Sequence, residues 1–425
     1  MAIKTRTTGA GRGAFFGRRV VGAAFVLAIF GWGVAFYGPP VFLSVIGETR
    51  GWPLPLISTA VTVHFLIGAV VGGNLPRIHR VLGATTATKA GALCMTAGIL
   101  GWAVAAEPWQ LFAATVFSGI GWGTMSAAAL NAFVSPWFVR ARPAALGMAY
   151  NGGSVGGIVF SPLWVAAIAA LGFPMAALAV GVVMTVTIWI LSDLVFAKTP
   201  ESMGQHPDGD APGAVAPTVL SPSAQPLPGS MLWRDRRFLA LAAGMALGLF
   251  AQIGLVAHLY SLLSPALGAQ EAGLAMGLIT AMAIVGRLIL GQLMTPGTDR
   301  RLAACVGYAA QLVGSVVFFF AAGADVTLLL FGVVLFGIGF GNATSLPPLI
   351  AQVEFVREDV PRAVALIVAI AQGGFAFAPA AFGWIRELSP AGLVPGEAPG
   401  VFLAASCIQG LAIAAFLAGR GPRRT

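Results

Sequence analysis

Long apolar stretches alternate with short polar or proline- and glycine-rich segments along most of the chain. A helix needs about 20 consecutive apolar residues to cross the hydrocarbon core of a bilayer. Twelve stretches meet this requirement, at residues 20–44, 55–77, 86–106, 110–135, 144–170, 174–196, 238–263, 272–294, 302–322, 326–350, 362–385 and 399–418. The pattern therefore predicts an all-α, polytopic membrane protein whose twelve transmembrane helices are embedded in the lipid bilayer.

The composition narrows the class of protein further. Of the 425 residues, 58% are hydrophobic and 9% are charged, whereas about 25% are charged in a soluble domain. These proportions exclude a water-soluble enzyme, a disordered protein and a disulfide scaffold. Cys94, Cys305 and Cys407 lie in apolar stretches without disulfide or metal spacing, and the predicted helices contain no paired acids. We therefore expect neither an enzyme nor a cofactor or metal.

The formal net charge of +9 has a topological explanation. Loops on the cytoplasmic side of membrane proteins are enriched in lysine and arginine. With the N-terminus inside, most basic residues of the loops lie on that side, and Arg50 and Arg386 remain outside. We expect a multi-pass protein of a bacterial inner membrane with both termini in the cytoplasm. Because the basic residues are scattered in short loops, we expect no nucleic acid partner.

The chain divides into two similar halves around one long hydrophilic segment. Its core, residues 199–229, is rich in Pro, Gly, Ser and Ala, which is typical of a flexible linker. Residues 117–123 recur as 335–341, and Phe138-Val-Arg140 recurs as Phe355-Val-Arg357, about half the chain later. The pattern predicts an N-terminal six-helix bundle at 1–197, a cytoplasmic linker at 198–237 and a C-terminal six-helix bundle at 238–425. Transporters built from two such parallel repeats bind substrate between them, near the midplane of the membrane.

Several segments resemble one family over nearly the whole chain. They are 36–39 with 51–54, the Trp-Phe-x-Arg-x-Arg junction at 137–149, the linker segment 199–209, and the patterns at 256–259 and 285–287. Together they resemble the monocarboxylate transporter-like branch of the major facilitator superfamily, which includes oxalate/formate antiporters. Two departures stand out: the loop 73–83 lacks the acid that the superfamily usually has there, and the helix 5 motif of proton-driven drug antiporters is absent at 151–154.

Arg287 is the main candidate for chemistry. It lies well inside the eighth predicted helix among apolar residues, glycine and Gln292. A charged side chain at that depth costs several kcal/mol and normally faces a polar cavity. The guanidinium group suits a carboxylate, which it can hold through two parallel hydrogen bonds. The residues alone leave a structural arginine open as the alternative, and the family resemblance favours binding of an anionic substrate.

Two histidines lie within predicted helices. His64, near the middle of the second helix, could titrate in the working pH range and carry a proton. The alternative is a neutral histidine bonded to a neighbouring helix. His258 lies in the outer third of the seventh helix and either lines an outer vestibule or stands at the membrane interface.

Three neutral polar residues complete the candidate substrate site. Polar side chains in membrane helices more often join helices through hydrogen bonds than bind substrate. The resemblance implies that helices 1 and 5 line the cavity, so Tyr37 and Asn151 are candidates for substrate contact. Gln372 lies in the eleventh helix, near a position where oxalate/formate relatives carry a lysine.

The leading hypothesis is secondary active transport of a small organic anion, a monocarboxylate or a related acid, by alternating access. The first alternative is efflux of lipophilic or cationic compounds, which the apolar interior favours and the buried positive charge disfavours. The second is a membrane sensor that does not transport, against which the short, low-complexity linker and tails argue. The sequence leaves open the substrate, the direction of transport, the choice between proton symport and anion exchange, and the oligomeric state.

Overall fold

The computed structural model describes residues 15–210, 229–294, 298–356, 359–389 and 396–420, and within them all regular structure is helical. Twelve helical segments are long and apolar enough to span a membrane. They are α1 (Gly17–Arg50), α2 (Leu54–Leu82), α3 (Ala84–Val104), α4 (Pro108–Trp137), α5 (Arg142–Leu171), α6 (Phe173–Phe196), α7 (Arg236–Leu267), α8 (Ala269–Leu293), α9 (Arg300–Ala321), α10 (Val326–Glu354), α11 (Arg362–Leu388) and α12 (Pro399–Ala418). The predicted all-α, twelve-helix fold is confirmed.

Two of the spans that line the contact between the bundles are interrupted near their middle. α1 consists of the helices Gly17–Ala35 and Gly38–Arg50, and α11 lies within the helices Val360–Phe375 and Ala378–Leu388. Pro39 and Pro379 lie just after these interruptions. Because proline has no N–H to donate, it cannot continue the ladder of helical hydrogen bonds. The interruption in α1 places Tyr37 at a bend inside the membrane-spanning region.

The helices form two bundles, α1–α6 and α7–α12. In the first bundle α1 packs on α5, α3 on α4 and α6, and α2 on α4; in the second α9 packs on α10 and α12, and α7 on α11 and α12. Glycines lie at the closest crossings: a Cβ on Gly152 would clash with the backbone of Phe25, and one on Gly286 with the backbone of Ile338. Small residues are therefore needed where these backbones approach each other.

The two bundles meet at one end of the molecule and diverge at the other. We name the end where α1 begins and α12 finishes the proximal end, and the opposite one the distal end. At the distal end Gly38–Arg50 of α1 packs on α7, and α2 packs on Ala378–Leu388 of α11. The Ala380 N–H there donates to Thr62 Oγ1 at 3.1 Å, from the second bundle to the first. We call this contact the distal seam.

α5 and α8 form the contact between bundles near the centre, which we call the central seam. A Cβ on Gly273 would lie 3.0 Å from Val165 and 3.2 Å from Pro162, so the two helices pack tightly there. Closer to the proximal end, a Cβ on Gly147 of α5 or Gly291 of α8 would have no atom within 4 Å. The main contacts between the described residues of the two bundles thus lie at the distal seam and the central seam, and in this sense the structure is closed at the distal end and open at the proximal end.

The described part of the linker is packed against the first bundle. Asp208 accepts hydrogen bonds from the backbone N–H groups of Val139, Arg140 and Ala141 at 3.2, 2.8 and 3.2 Å. Gln205 Oε1 accepts another from the N–H of Phe16 at 2.9 Å. The expectation of a flexible linker from residue 199 onward does not hold for this segment, because its polar side chains satisfy backbone groups of the bundle. Residues 211–228 lie outside the described residues.

Candidate functional site

Arg287 lies at the central seam, about two turns before α8 ends. It is half-buried, and its Nη2 donates to Ser154 Oγ of α5 at 2.5 Å, from the second bundle to the first. Gly341 of α10 borders the arginine stem, since a Cβ at this glycine would lie 3.1 Å from Arg287 Cγ. Three helices, α5, α8 and α10, thus fix the position of one positive charge.

The charge of Arg287 has no anionic partner in the part of the chain that the structure describes. The ion pairs of these residues involve Lys89, Arg140, Arg301 and Arg420, and all lie elsewhere. A guanidinium group has five N–H donors, and the one hydrogen bond that Arg287 donates goes to a neutral hydroxyl. Arg287 is therefore a positively charged group with donors to spare at the central seam.

Tyr37 is brought to the same region by the interruption in α1. Its side chain is buried, and a Cβ on Gly157 of α5 would lie 2.7 Å from its ring and 2.6 Å from the Thr280 methyl group of α8. Gly157 is one turn along α5 from Ser154. We use the name arginine site for Arg287, Ser154, Tyr37 and Thr280, which line the central seam.

Asn151 lies one turn from Ser154 on α5, toward the proximal end, and is exposed. A helical spacing of three residues places the two side chains on neighbouring positions of one face. Gly157 is buried and Asn151 is exposed, so α5 becomes less covered toward the proximal end. The structure therefore places Asn151 at the open side of the arginine site rather than within it.

His64 is fully buried in the first bundle and has partners for both ring nitrogens. Nδ1 lies 2.9 Å from Ser118 Oγ of α4, and Nε2 lies 3.1 Å from the carbonyl oxygen of Ala35. In an uninterrupted helix that carbonyl would accept from residue 39, but Pro39 has no N–H to donate. His64 thus replaces a hydrogen bond that the proline removes, which favours the bonded-histidine alternative over a proton carrier.

His258 and Gln372 lie outside the arginine site. His258 is fully buried at the distal seam, where its Nε2 lies 2.9 Å from the Pro379 carbonyl oxygen of α11. Gln372 is half-buried on the proximal half of α11. No hydrogen bond among the described residues connects Gln372 with Arg287. Of the six residues predicted from the sequence, the structure groups Arg287 and Tyr37, places Asn151 beside them, and separates the remaining three.

Aromatic rings of the first bundle form an apolar group next to the arginine site. Phe36 packs edge-on against Tyr37 at 5.0 Å between ring centroids, and Trp32 packs against Trp122 at 5.1 Å. Phe65 contacts Phe375 of the second bundle at 6.1 Å. Such edge-to-face pairs exclude water and stabilise packing beyond the area that they bury. Arg287 is therefore a charge beside a largely apolar group of rings.

Ser154 and Thr280 were not singled out by sequence reasoning. Neither is unusual in an apolar helix, because hydroxyl side chains commonly bond to the preceding turn of their own helix, as Thr280 does with the carbonyl of Gly277 at 2.7 Å. The available signal for Ser154 was its place in the Asn151–Ser154 segment of a helix predicted to line the cavity. Its partner, Arg287, is identified only by the packing of α5 on α8.

The fold and this arrangement define a helical membrane transporter built from two bundles. The family model of the Major Facilitator Superfamily matches residues 90–379, and the chain belongs to this superfamily. Membership makes it a membrane transporter and not an enzyme. A comparison with curated protein sequences finds no match.

Solved transporter structures share the fold over nearly the whole chain. The nucleoside transporter NupG, in a mutant form, matches with a TM-score of 0.73 and 13% identity, covering 94% of this chain and 99% of its own. A bacterial homolog of the human lysosomal transporter Spinster matches in an inward-facing, unoccupied conformation with a TM-score of 0.69 and 14% identity, over 97% and 100%. The same homolog in an inward-facing, occupied conformation matches with a TM-score of 0.67 and 15% identity, covering 96% of this chain and 95% of its own. These low identities indicate a shared fold alone.

Proposed function

We propose that the protein is a secondary active transporter of a small organic anion, a monocarboxylate or a related acid, that works by alternating access. The observation behind this proposal is Arg287, a positive charge at the contact between the bundles with no carboxylate within 4 Å among the described residues. A charge in the membrane-spanning region is costly unless it has a partner. A substrate carboxylate is the partner that would compensate it.

The arginine site offers a simple mode of binding. A carboxylate entering from the open proximal end would meet Arg287 and accept two parallel hydrogen bonds from its guanidinium group. Ser154, which bonds to Arg287, and Tyr37, which interacts electrostatically with it, would donate to the same oxygens. The neighbouring rings of Phe36 and Trp122 would limit the water around them. Because Ser154 and Arg287 belong to different bundles, a bound anion would contact both.

Transport follows from rocking of the two bundles about the central seam. In the present conformation the distal seam is closed and the proximal end is open. Rocking would separate α2 from α11 at the distal end and bring α5 and α8 together at the proximal end. This exchange is alternating access around a fixed site. Proton symport and anion exchange are both compatible with the site.

The sequence resemblance supports the finer assignment within the superfamily. Segments 36–39, 137–149 and 199–209 resemble the monocarboxylate transporter-like branch with its oxalate/formate antiporters. The basic loops support a bacterial inner membrane location with both termini, and hence the proximal end, in the cytoplasm. We assign 1–197 and 238–425 to the two bundles and 198–237 to a cytoplasmic linker. Protease cleavage of the linker in inside-out vesicles, and not in right-side-out vesicles, tests this topology.

The decisive experiment is uptake into proteoliposomes. Purified protein is reconstituted with a panel of radiolabelled short-chain mono- and dicarboxylates, with and without a pH gradient and with and without internal anion. We expect uptake of at least one carboxylate by the parent protein and its loss in Arg287→Ala. Melting of the detergent-solubilised protein provides a second readout, because a ligand that binds the folded state raises its stability. Absence of both transport and stabilisation for the whole panel would exclude the proposal.

A further inference from the structure

The two buried histidines of the membrane-spanning region differ in the hydrogen bonding of one ring nitrogen, Nδ1. His64 uses both, whereas His258 Nδ1 is buried with no hydrogen-bond partner among the described residues. A neutral imidazole has one donor and one acceptor nitrogen. Since the Pro379 carbonyl can only accept, the geometry assigns the hydrogen of His258 to Nε2. Its Nδ1 therefore keeps a free lone pair, the group that binds a proton.

His258 lies where the two bundles close the distal seam. A Cβ on Gly383 of α11 would lie 2.5 Å from Ser58 Oγ of α2 and 3.5 Å from His258 Cε1, so the ring and α2 flank the same glycine. The hydrogen bond from Ala380 to Thr62 crosses between the bundles close by. Opening of the distal end must separate α2 from α11 at this point, and it would admit water to the imidazole.

The groups around His258 favour its neutral form while the seam is closed. Arg386 of α11 donates from Nη1 to Ser261 Oγ at 2.6 Å, and Ser261 Oγ donates to the His258 carbonyl at 2.8 Å. From α2, the hydroxyls of Ser58 and Thr62 lie against this part of α11, and both are neutral. A protonated His258 would be a second cation beside Arg386 in a site that is buried from solvent, which is unfavourable.

The remaining charged and titratable neighbours belong to α7 and α1. Tyr260 follows His258 on α7, and it interacts electrostatically with Glu48 of α1. Glu48 itself accepts a hydrogen bond from Ser44 Oγ at 2.8 Å. Glu48 and Arg386 thus flank this part of α7, and no described carboxylate forms an ion pair with Arg386. Arg386 is therefore the cation that would repel a protonated His258.

We propose that His258 is a proton-binding site that controls opening of the distal seam. When the seam opens, a proton from water forms an N–H bond at Nδ1, and when the seam closes the proton returns to water. Because protonation and opening then favour each other, acid on the distal side increases the population of the distal-open form. The inference rests on the alternating access of the proposed function and adds to it a proton-linked step at a residue outside the arginine site.

The test measures opening directly and needs no substrate. Spin labels replace Arg50 and Leu388, at the distal ends of α1 and α11, in a chain whose Cys94, Cys305 and Cys407 are changed to alanine. Electron–electron resonance then measures the distance between the labels in lipid nanodiscs from about pH 5 to about pH 8, the range in which histidine titrates. We expect the long-distance population of the parent protein to grow several-fold as the pH falls.

The matched variants are His258→Gln and His64→Gln. The glutamine amide at 258 can still donate to the Pro379 carbonyl but does not titrate in this range, so the pH dependence should disappear. His64→Gln removes the other buried histidine, and the pH dependence of opening should persist in this variant. A parent protein without pH dependence, or a His258→Gln protein that retains it, would overturn the inference. If the pH dependence is lost in His64→Gln and retained in His258→Gln, the proton site is His64 instead.

Arg386→Gln gives an independent test that does not alter the histidine. Removing the neighbouring cation makes protonation of His258 easier, so the midpoint of opening should move to higher pH, on the order of one pH unit. No shift, or a shift to lower pH, would contradict the inference even if His258→Gln fails to fold. Since anion uptake is measured separately in proteoliposomes, failure of this gate is distinguishable from failure of the proposed transport function.

Discussion

Arg287 and Arg301 are both enclosed by helices, yet their guanidinium groups have opposite surroundings. Arg301, at the start of α9, is only 2% exposed. Its Nε and Nη2 donate to the two oxygens of Glu354 at 2.6 and 2.7 Å, and its Nη groups also donate to the carbonyls of Phe416 and Arg237. Arg287 donates to one neutral hydroxyl, that of Ser154.

The difference separates a structural charge from an available one. The groups that Arg301 contacts belong to the beginning of α7 and the ends of α10 and α12, so its donors join four helices of the second bundle. Four of its five N–H donors are used, and its almost complete burial leaves a ligand no access to it. Arg287 has unused donors, as far as the described residues go, at the contact between bundles, where the proposed substrate would bind. A buried arginine therefore indicates a binding site only when its hydrogen bonds are incomplete.

The largest expected effect is on stability, from Arg301→Ala. Removing one member of a buried ion pair leaves Glu354 without its partner, at a typical cost of about 3–5 kcal/mol. We expect low yields and a large fall in the melting temperature, measured by intrinsic tryptophan fluorescence. Arg301→Met combined with Glu354→Leu replaces the pair with apolar side chains and should recover much of the loss. A single variant that melts like the parent would show that Arg301 is not structural.

Arg287→Ala is expected to affect binding rather than folding. Without the guanidinium group, most of the binding of a carboxylate should disappear, while the ligand-free protein should melt near the parent temperature. Thermal stabilisation by the best carboxylate of the panel measures the loss. Arg300→Ala is the matched control, because Arg300 donates to the Leu349 carbonyl at 2.5 Å, away from the central seam. If Arg287→Ala binds like the parent protein, the anion site lies elsewhere.

Arg287→Lys should have a smaller effect than the alanine variant. Lysine keeps the positive charge but cannot form two parallel hydrogen bonds with a carboxylate. We expect weaker affinity by about 1–3 kcal/mol, the range for hydrogen bonds to charged groups. Titration of the two variants with the same carboxylate provides the comparison. Equal loss in both would mean that geometry, and not charge, determines binding.

Ser154→Ala tests the one hydrogen bond that Arg287 donates within the described part of the chain. The change removes a neutral partner and leaves the charge in place, so the affinity should fall by about 0.5–1.5 kcal/mol, roughly tenfold or less. Ser345→Ala, on the proximal part of α10, removes a hydroxyl that bonds to its own helix at the Gly341 carbonyl and serves as control. If Ser154→Ala lowers the affinity for the carboxylate as much as Arg287→Ala does, Ser154 contacts the substrate directly rather than only positioning Arg287.

The smallest effect concerns a surface counterpart of these arginines, Arg140. Its side chain is 58% exposed and pairs with Asp210 at 2.7 Å, so Arg140→Ala should change stability by less than about 1 kcal/mol. Asp208 is more sensitive to pH. Burial raises its pKa, but the hydrogen bonds from residues 139–141 and the charge of Arg140 outweigh this and lower it overall.

The lowered pKa of Asp208 defines a pH dependence for linker docking. A carboxylate whose pKa is lower in the folded protein stabilises it above the unfolded pKa, about 3.9 for aspartate, and this contribution is lost as the pH falls through the folded value. The protection of the N–H groups of residues 139–141, which is their exchange rate relative to the intrinsic rate at the same pH, should therefore fall in acid. Asp208→Asn should show faster exchange already at neutral pH. Unchanged exchange in that variant would exclude a role for Asp208 in docking.

The sequence predicts the helices well because a bilayer imposes a length and an apolar composition on each of them. It also identifies Arg287, since a charge within an apolar stretch is visible without coordinates. The hydrogen-bond partners of these polar side chains cannot be predicted in the same way. Ser118 and Ala35 reach His64 from other helices, and Ser154 reaches Arg287 from the other bundle, so these contacts depend on packing.

The packing of the linker against the first bundle could not be predicted from the sequence for another reason. Its composition, rich in Pro, Gly and Ser, is typical of a flexible chain. The decisive contacts are made by Asp208 and Gln205 with backbone N–H groups, which every non-proline residue has and no sequence pattern marks. Local composition therefore describes what a segment does alone, and not what the bundle beside it offers.

In the proposed rocking motion, the glycine-lined central seam would be the line about which the two bundles turn. Gly273 and Gly277 let α8 approach α5 so closely that rotation about this line needs little sliding of side chains. Half of the 30-residue α5 is about 22 Å long. A tilt of about 15°, similar to subunit rotations in other proteins, would displace its end by about 6 Å. Under the proposed mechanism, a displacement of this size would open a passage about as wide as a small carboxylate, so the position of the pivot would favour small substrates.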